Sequence, residues 1–73
     1  MENLTAMMAG SVWKCLVSVG DEISSDQDYV ILESMKMEIP HAAPYKCKVV
    51  NVFVNEGDFV NEGDSLIQVE KLG

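Results

Sequence analysis

Val12-Trp-Lys-Cys-Leu-Val-Ser-Val-Gly-Asp-Glu-Ile23 and Val49-Val-Asn-Val-Phe-Val-Asn-Glu-Gly-Asp-Phe-Val60 are one pattern written twice. A shift of 37 positions aligns Val12–Glu33 with Val49–Glu70 without a gap. Two copies are too few for a stacked array with capped ends, so they read as halves of one barrel or sandwich related by an approximate two-fold axis. Within each copy the alternation has period two. Trp13, Cys15 and Val17 match Val50, Val52 and Val54 and are expected to face the core, whereas Lys14, Leu16 and Ser18 match Asn51, Phe53 and Asn55 and face out. Further on, Val30 and Leu32 match Ile67 and Val69 as a second inward pair. Tyr29, Ile31 and Glu33, with Leu66, Gln68 and Glu70, make a more polar face. Short β-strands account for this pattern better than helices.

The turns support the same reading. Gly20-Asp21, Gly57-Asp58 and Gly63-Asp64 combine a residue free to take positive φ with one that hydrogen-bonds its own backbone. Asp26 stands where the second copy has Gly63, and Asp tolerates the left-handed region better than most residues. Pro40 and Pro44 flank the connection between the copies and mark it as loop or sheet edge, since proline donates no hydrogen bond to a ladder.

A chain of 73 residues allows one domain, 1–73, near the lower limit of what a single apolar core stabilises. The net charge of -7 repels phosphate backbones and anionic lipid surfaces, so neither nucleic acid nor a membrane is an expected partner. The N-terminal residues lack the basic segment and apolar core of a secretory signal, and no later run reaches membrane-spanning length, which gives the expectation of a cytoplasmic protein. Two cysteines without metal-ligand spacing are expected to be reduced thiols. The chain is expected to be a monomer.

One segment carries chemistry. Residues 33–40, Glu-Ser-Met-Lys-Met-Glu-Ile-Pro, hold Lys36 between Met35 and Met37 and inside a bracket of acids, Glu33 and Glu38. Period-two counting from Val30 and Leu32 would turn Ser34 and Lys36 inward, so a turn must intervene at the lysine if its ammonium is to reach water. This segment resembles the attachment site of the biotinyl/lipoyl carrier domains. Within that family Met-Lys-Met is the biotin form, whereas lipoyl domains usually place Asp before the lysine and Ala or Val after it. The resemblance covers nearly the whole chain: Met8-Ala9-Gly10-Ser11-Val12 is similar to the opening strand, Val19-Gly20-Asp21 and Asn55-Glu56-Gly57-Asp58 to paired turns, and Ala43-Pro44 to the link after the attachment hairpin. Cys47 departs from it, standing where many members have Gly and where the first copy has Gly10. No insertion equivalent to the protruding thumb of bacterial acetyl-CoA carboxylase carriers separates the strands.

The resemblance implies an all-β fold, a flattened β-barrel or barrel-sandwich hybrid of two four-stranded antiparallel sheets with pseudo-two-fold symmetry. It implies a non-catalytic carrier with covalent biotin on Lys36 and with Glu33, Ser34, Met35, Met37 and Glu38 as the recognition motif. The implied partners are a biotin protein ligase, a biotin carboxylase and a carboxyltransferase, between which the biotin would carry carboxylate. A lysine ammonium free in water titrates at about 10.4, leaving roughly 0.1% as free amine at about pH 7.4. Acylation therefore depends on a ligase that takes the proton and supplies an activated acyl group. Two alternatives are a lipoyl carrier, or a carrier accepting both groups, and an unmodified barrel-sandwich acting as an interaction module.

Other residues read as structural. His41 has no second ligand at metal spacing and is expected on an exposed loop. Cys15 is expected to be a buried small hydrophobe, and Cys47 has no base beside it. No pair of acids has the look of a general acid and base, and no Gly-rich phosphate loop is present.

Overall fold

The strand-forming runs are short and are interrupted by four turn tetrads, so the chain folds as a series of brief antiparallel strands. The computed structural model describes residues 1–72. It contains β1 (Glu2–Thr5), β2 (Gly10–Cys15), β3 (Glu22–Ile23), β4 (Asp28–Ser34), β5 (Met37–Ala42), β6 (Cys47–Val52), β7 (Phe59–Val60) and β8 (Ser65–Lys71), with no helix among the described residues. Two four-stranded antiparallel sheets result, ordered β1-β8-β6-β3 and β5-β4-β2-β7. They face one another as a flattened sandwich and are not closed into a barrel. Pro40 lies in β5, an edge strand, where its missing N–H leaves no ladder bond unmade.

The duplication is the symmetry of the fold. The 37-residue shift carries β2 onto β6, β3 onto β7 and β4 onto β8 with identical bounds, and carries the last four residues of β5 onto β1. Each sheet takes its fourth strand from the other copy, because β3 pairs with β6 and β7 with β2. The turns lock this exchange: Gly20 N–H donates to Val49 O at 2.8 Å, and Gly57 N–H donates to Val12 O at 2.8 Å. Neither copy can complete a sheet alone.

Four turns share one design. In Ser18–Asp21, Asn55–Asp58 and Asn61–Asp64 the first carbonyl accepts from the fourth N–H at 3.0 Å, and the fourth carboxylate accepts from the first N–H at 2.8 Å. Ser24–Gln27 repeats this with the Gln27 amide oxygen at 3.1 Å. The third residue has positive φ throughout, the type II pattern, at Gly20, Gly57 and Gly63 and, at 68°, at Asp26.

Two pairs of β-bulges correct the simple alternation. Between Val12 and Lys14, and between Val49 and Asn51, one strand spends two residues against one of its partner. Trp13 and Val50 are the extra residues, and the parity of the strand flips across them. Val12 and Val49 are therefore the buried residues at the start of these strands, with Val17 and Val54 buried beyond the bulge. Trp13, expected in the core, is 43% exposed, with Lys14 Nζ 5.5 Å from its ring centroid, while Cys15, Val50 and Val52 are half-buried. Lys14, Leu16, Ser18, Asn51, Phe53 and Asn55 face solvent as their alternation predicts. A second bulge pair leaves Tyr29 and Leu66 without partners in the β4–β5 and β1–β8 ladders. These two, expected on the more polar face, are buried beside Val30 and Ile67, so each copy drives two consecutive side chains into the core.

Candidate functional site

The β4–β5 hairpin is held in register by Leu32↔Ile39, Glu33↔Glu38 and Ser34↔Met37, which leaves two residues, Met35 and Lys36, to reverse the chain. Two-residue hairpin loops need φ > 0 at both positions for a type I′ turn, a requirement ordinarily met by Asn, Asp or Gly. Here Met35 has φ 52° and Lys36 has φ 65°. The left-handed region is unfavourable for such side chains by about 1–2 kcal/mol each, so the surrounding ladder must impose it. The imposing structure is β4, paired on one side with β5 and on the other with β2. At Gly10, in β2, an added Cβ would sit 2.8 Å from Glu33 O, so only glycine lets the opening strand come this close to the hairpin stem.

Alternation divides the hairpin into two faces. Leu32, Ser34, Ile39 and Met37 share the inward face, which runs from the fully buried Leu32 to Met37, 65% exposed. Glu33 and Glu38 lie directly opposite each other on the outward face, both exposed. Like charges so placed disfavour the pair, and the arrangement leaves a concentrated negative charge one residue pair below the turn. Lys36 is exposed at the tip beside Met35, which is 90% exposed. The chain has four other lysines, none in the hairpin: Lys71 lies 5.3 Å from the Tyr45 ring centroid, and Lys48 sits between Glu22 and Glu70 across the strands.

His41 is a further residue that the sequence reading misplaces. It is not on an exposed loop but within β5, 2% exposed, because the 37-residue shift sets it on the core position of Leu4. Its Nε2 accepts from Met7 N–H at 3.0 Å, so Nδ1 carries the proton and donates to Ile39 O at 3.2 Å. The ring thus ties the β1–β2 connection to the β4–β5 hairpin. Extending the repeat alignment toward the N-terminus, where Ala43 also falls on Ala6, is the signal that would have found it. Among the described residues no group of His, Cys, Asp and Glu could hold a metal ion.

The hairpin thus presents one primary amine on a two-residue turn between two exposed thioethers, above paired carboxylates. A family model described as biotin-requiring enzyme, the biotinyl/lipoyl domain, matches residues 3–69. The chain belongs to this family. It is 50% identical over 67 residues to the biotin/lipoyl attachment protein of Bacillus subtilis (strain 168), covering 92% of each chain. It is 42% identical over 67 residues to the biotin carboxyl carrier protein of Streptococcus mutans, covering 92% of this chain and 52% of that one. A solved structure of a single-chain, multi-domain long-chain acyl-CoA carboxylase superposes over 99% of this biotinyl/lipoyl chain with a TM-score of 0.94 and 32% identity, spanning 7% of the larger polypeptide.

Proposed function

We propose that this chain is a non-catalytic biotin carboxyl carrier whose Lys36 is the attachment point. The observation that carries the reading is the turn: a left-handed Met35-Lys36 pair projects the amine clear of both sheets, on a stem that Gly10 and the β2–β4 ladder hold rigid. The exposed tip fits a covalent acyl group, because a long tether rooted in a stiff hairpin gives reach without disturbing the core. When attached, biotin supplies a ring nitrogen that takes up and gives away carboxylate.

The protein's own contribution is acceptance and presentation. After a base of the biotin protein ligase removes its proton, Lys36 Nζ attacks an activated carboxyl carbon, the amide forms, and the activating group leaves. Glu33 and Glu38 offer a negative stem to a basic rim on the ligase, while Ser34, Met35 and Met37 supply the contact surface next to the amine. The relatives support carboxylase partners, since 42% identity over 69 residues links this chain to a pyruvate carboxylase of Staphylococcus aureus, 6% of whose length it spans. A biotin carboxylase and a carboxyltransferase would then act on the loaded tip in turn.

The Bacillus subtilis relative is a biotin/lipoyl attachment protein, so lipoate is the second reading. The test is to express the chain with biotin protein ligase or with a lipoate ligase and probe the product with streptavidin and with anti-lipoate antibody, using Lys36→Arg as the blank. Streptavidin signal lost in Lys36→Arg supports the biotin carrier. Signal only from the antibody makes it a lipoyl carrier, and an unmodified chain under both conditions defeats both readings.

A further inference from the structure

The chain segregates its sulfur. Cys47 is fully buried, and burial, with a smaller contribution from the Glu2 carboxylate, pushes its thiol up from 9.0 and away from the reactive thiolate. Cys15 is half-buried and its Sγ–H donates to Val17 O at 3.5 Å. The thioethers beside Lys36 are the reverse case, with Met35 90% and Met37 65% exposed on either side of the amine. An oxidant reaching this molecule meets the attachment tip before it meets a thiol.

We infer that Met35 and Met37 are sites of reversible oxidation by hydroperoxides, and that the sulfoxides formed there stop Lys36 from being acylated. The inference rests on the proposed role of Lys36. In the oxidation step a thioether sulfur lone pair attacks a peroxide oxygen, the S–O bond forms, and the O–O bond breaks. The remaining oxygen departs, with a proton, as water or an alcohol. Sulfur loses two electrons and the peroxide gains two. A thiol-dependent methionine sulfoxide reductase reverses the change, the oxygen leaving as water and two thiols becoming a disulfide.

The consequence follows from what a ligase must cover to reach the amine. Two flexible apolar side chains pack against a partner surface without needing hydrogen bonds. A sulfoxide oxygen is a strong acceptor, and burying it without a donor weakens the encounter complex by roughly ten-fold or more. Met1, 86% exposed just before β1 of the other sheet, and Met7, 62% exposed in the β1–β2 connection, lie outside the hairpin and serve as internal controls.

The full chain is treated with hydrogen peroxide for graded times, mapped residue by residue for added oxygen by peptide mass, and then given biotin, ATP and biotin protein ligase. Lys36→Arg defines the acylation signal. The expected result is an acylation rate that falls in step with the sulfoxide content of Met35 and Met37, not with that of Met1 or Met7, and that a sulfoxide reductase restores. A Met35→Leu, Met37→Leu chain, compared only with its own untreated rate, is expected to be indifferent to peroxide. An unchanged rate in chains oxidised at both positions overturns the inference, as does loss that follows Met1 or Met7 or persists in the Leu variant. A failure of the untreated chain to be acylated removes the reading of Lys36 itself, and this inference with it.

Discussion

The two sheets follow one plan and differ most at one place: in β5-β4-β2-β7 the chain reverses on Met35-Lys36 between adjacent strands, while in β1-β8-β6-β3 no such turn joins β8 to β1. At the closed end Gly10 lies under Glu33 with no room for a Cβ, and β5 starts two residues earlier than β1 to extend the hairpin through Met37 and Glu38. At the open end the equivalent of Gly10 is Cys47, whose side chain is entirely buried, and Leu72 N–H donates to Lys46 O at 3.0 Å. Shared features, the turns, bulges and exchanged short strands, make the fold. Departures from the symmetry gather around the hairpin, which is where the proposed attachment lies. Exchanging a residue for its symmetry mate therefore asks whether a departure serves the fold or the tip.

The largest effect is expected at Gly10. Gly10→Cys copies the mate but drives Cβ into the Glu33 carbonyl, a backbone atom that can move only if β4 moves. A destabilisation of about 3 kcal/mol is expected in urea unfolding. Faster amide exchange at Ser34 and Met37 would show that the strain reaches the turn. A neutral outcome would mean that β2 can shift to admit the side chain, and that the closed end is not held by this contact.

Much of this was legible in the sequence. The gapless repeat gave the two-fold, the Gly-Asp pairs gave three of the four turns, and Asp26 could be placed in the left-handed region from its alignment with Gly63. A turn at Lys36 followed from the clash between strand alternation and an exposed ammonium. What the sequence hid were the bulges. A bulge changes the parity of a strand without leaving a mark in its composition, so Trp13 and Tyr29 were put on the wrong faces. His41 was hidden for a different reason: its ring satisfies both nitrogens within the fold, and a polar residue buried in this way looks like a loop residue until its partners are known.

Tyr29 and its mate Leu66 supply the next exchange. Tyr29→Leu removes an aromatic ring from the core, where it meets His41 edge-on at 6.3 Å, and is expected to cost about 1–2 kcal/mol at neutral pH. It should also change the alkaline limb. Burial, with a smaller effect of Cys47, pushes the Tyr29 hydroxyl from 10.0 up to about 12. The unfolded chain then releases the proton first, so the native state keeps its full stability below pH 10 and loses it as pH rises through the interval to about 12. Cys47, also raised by burial, adds a decline in the same direction starting above 9.0. Urea midpoints measured across this range should fall less steeply in Tyr29→Leu than in the parent, with the Cys47 share remaining.

His41→Leu is expected to have a smaller effect because the mate already shows that leucine suits this core position. The gain in apolar burial offsets part of the loss, and Met7 N–H is left without its acceptor, for a net cost of about 1 kcal/mol. The diagnostic is local: exchange at the Met7 amide should quicken while that of the β6–β8 ladder stays unchanged. Equal quickening in both sheets would mean that the ring supports the whole core and not the hairpin side alone.

The smallest change is expected at Asp26→Gly. Asp26 holds φ 68° while its N–H donates to Ala43 O at 2.8 Å, and Gly63 keeps the equivalent bond to Ala6 O at 2.9 Å, so the exchange preserves the hydrogen bond and removes the steric penalty of a left-handed Asp. Against this stands the wider freedom that glycine gives the unfolded chain, worth roughly 0.5–1 kcal/mol. The two nearly cancel, and a net gain of about 0.5 kcal/mol or less is expected from the urea midpoint. A clear loss of stability would mean that the Asp26 carboxylate contributes to the fold beyond permitting the turn, making this position a further departure from symmetry with work of its own.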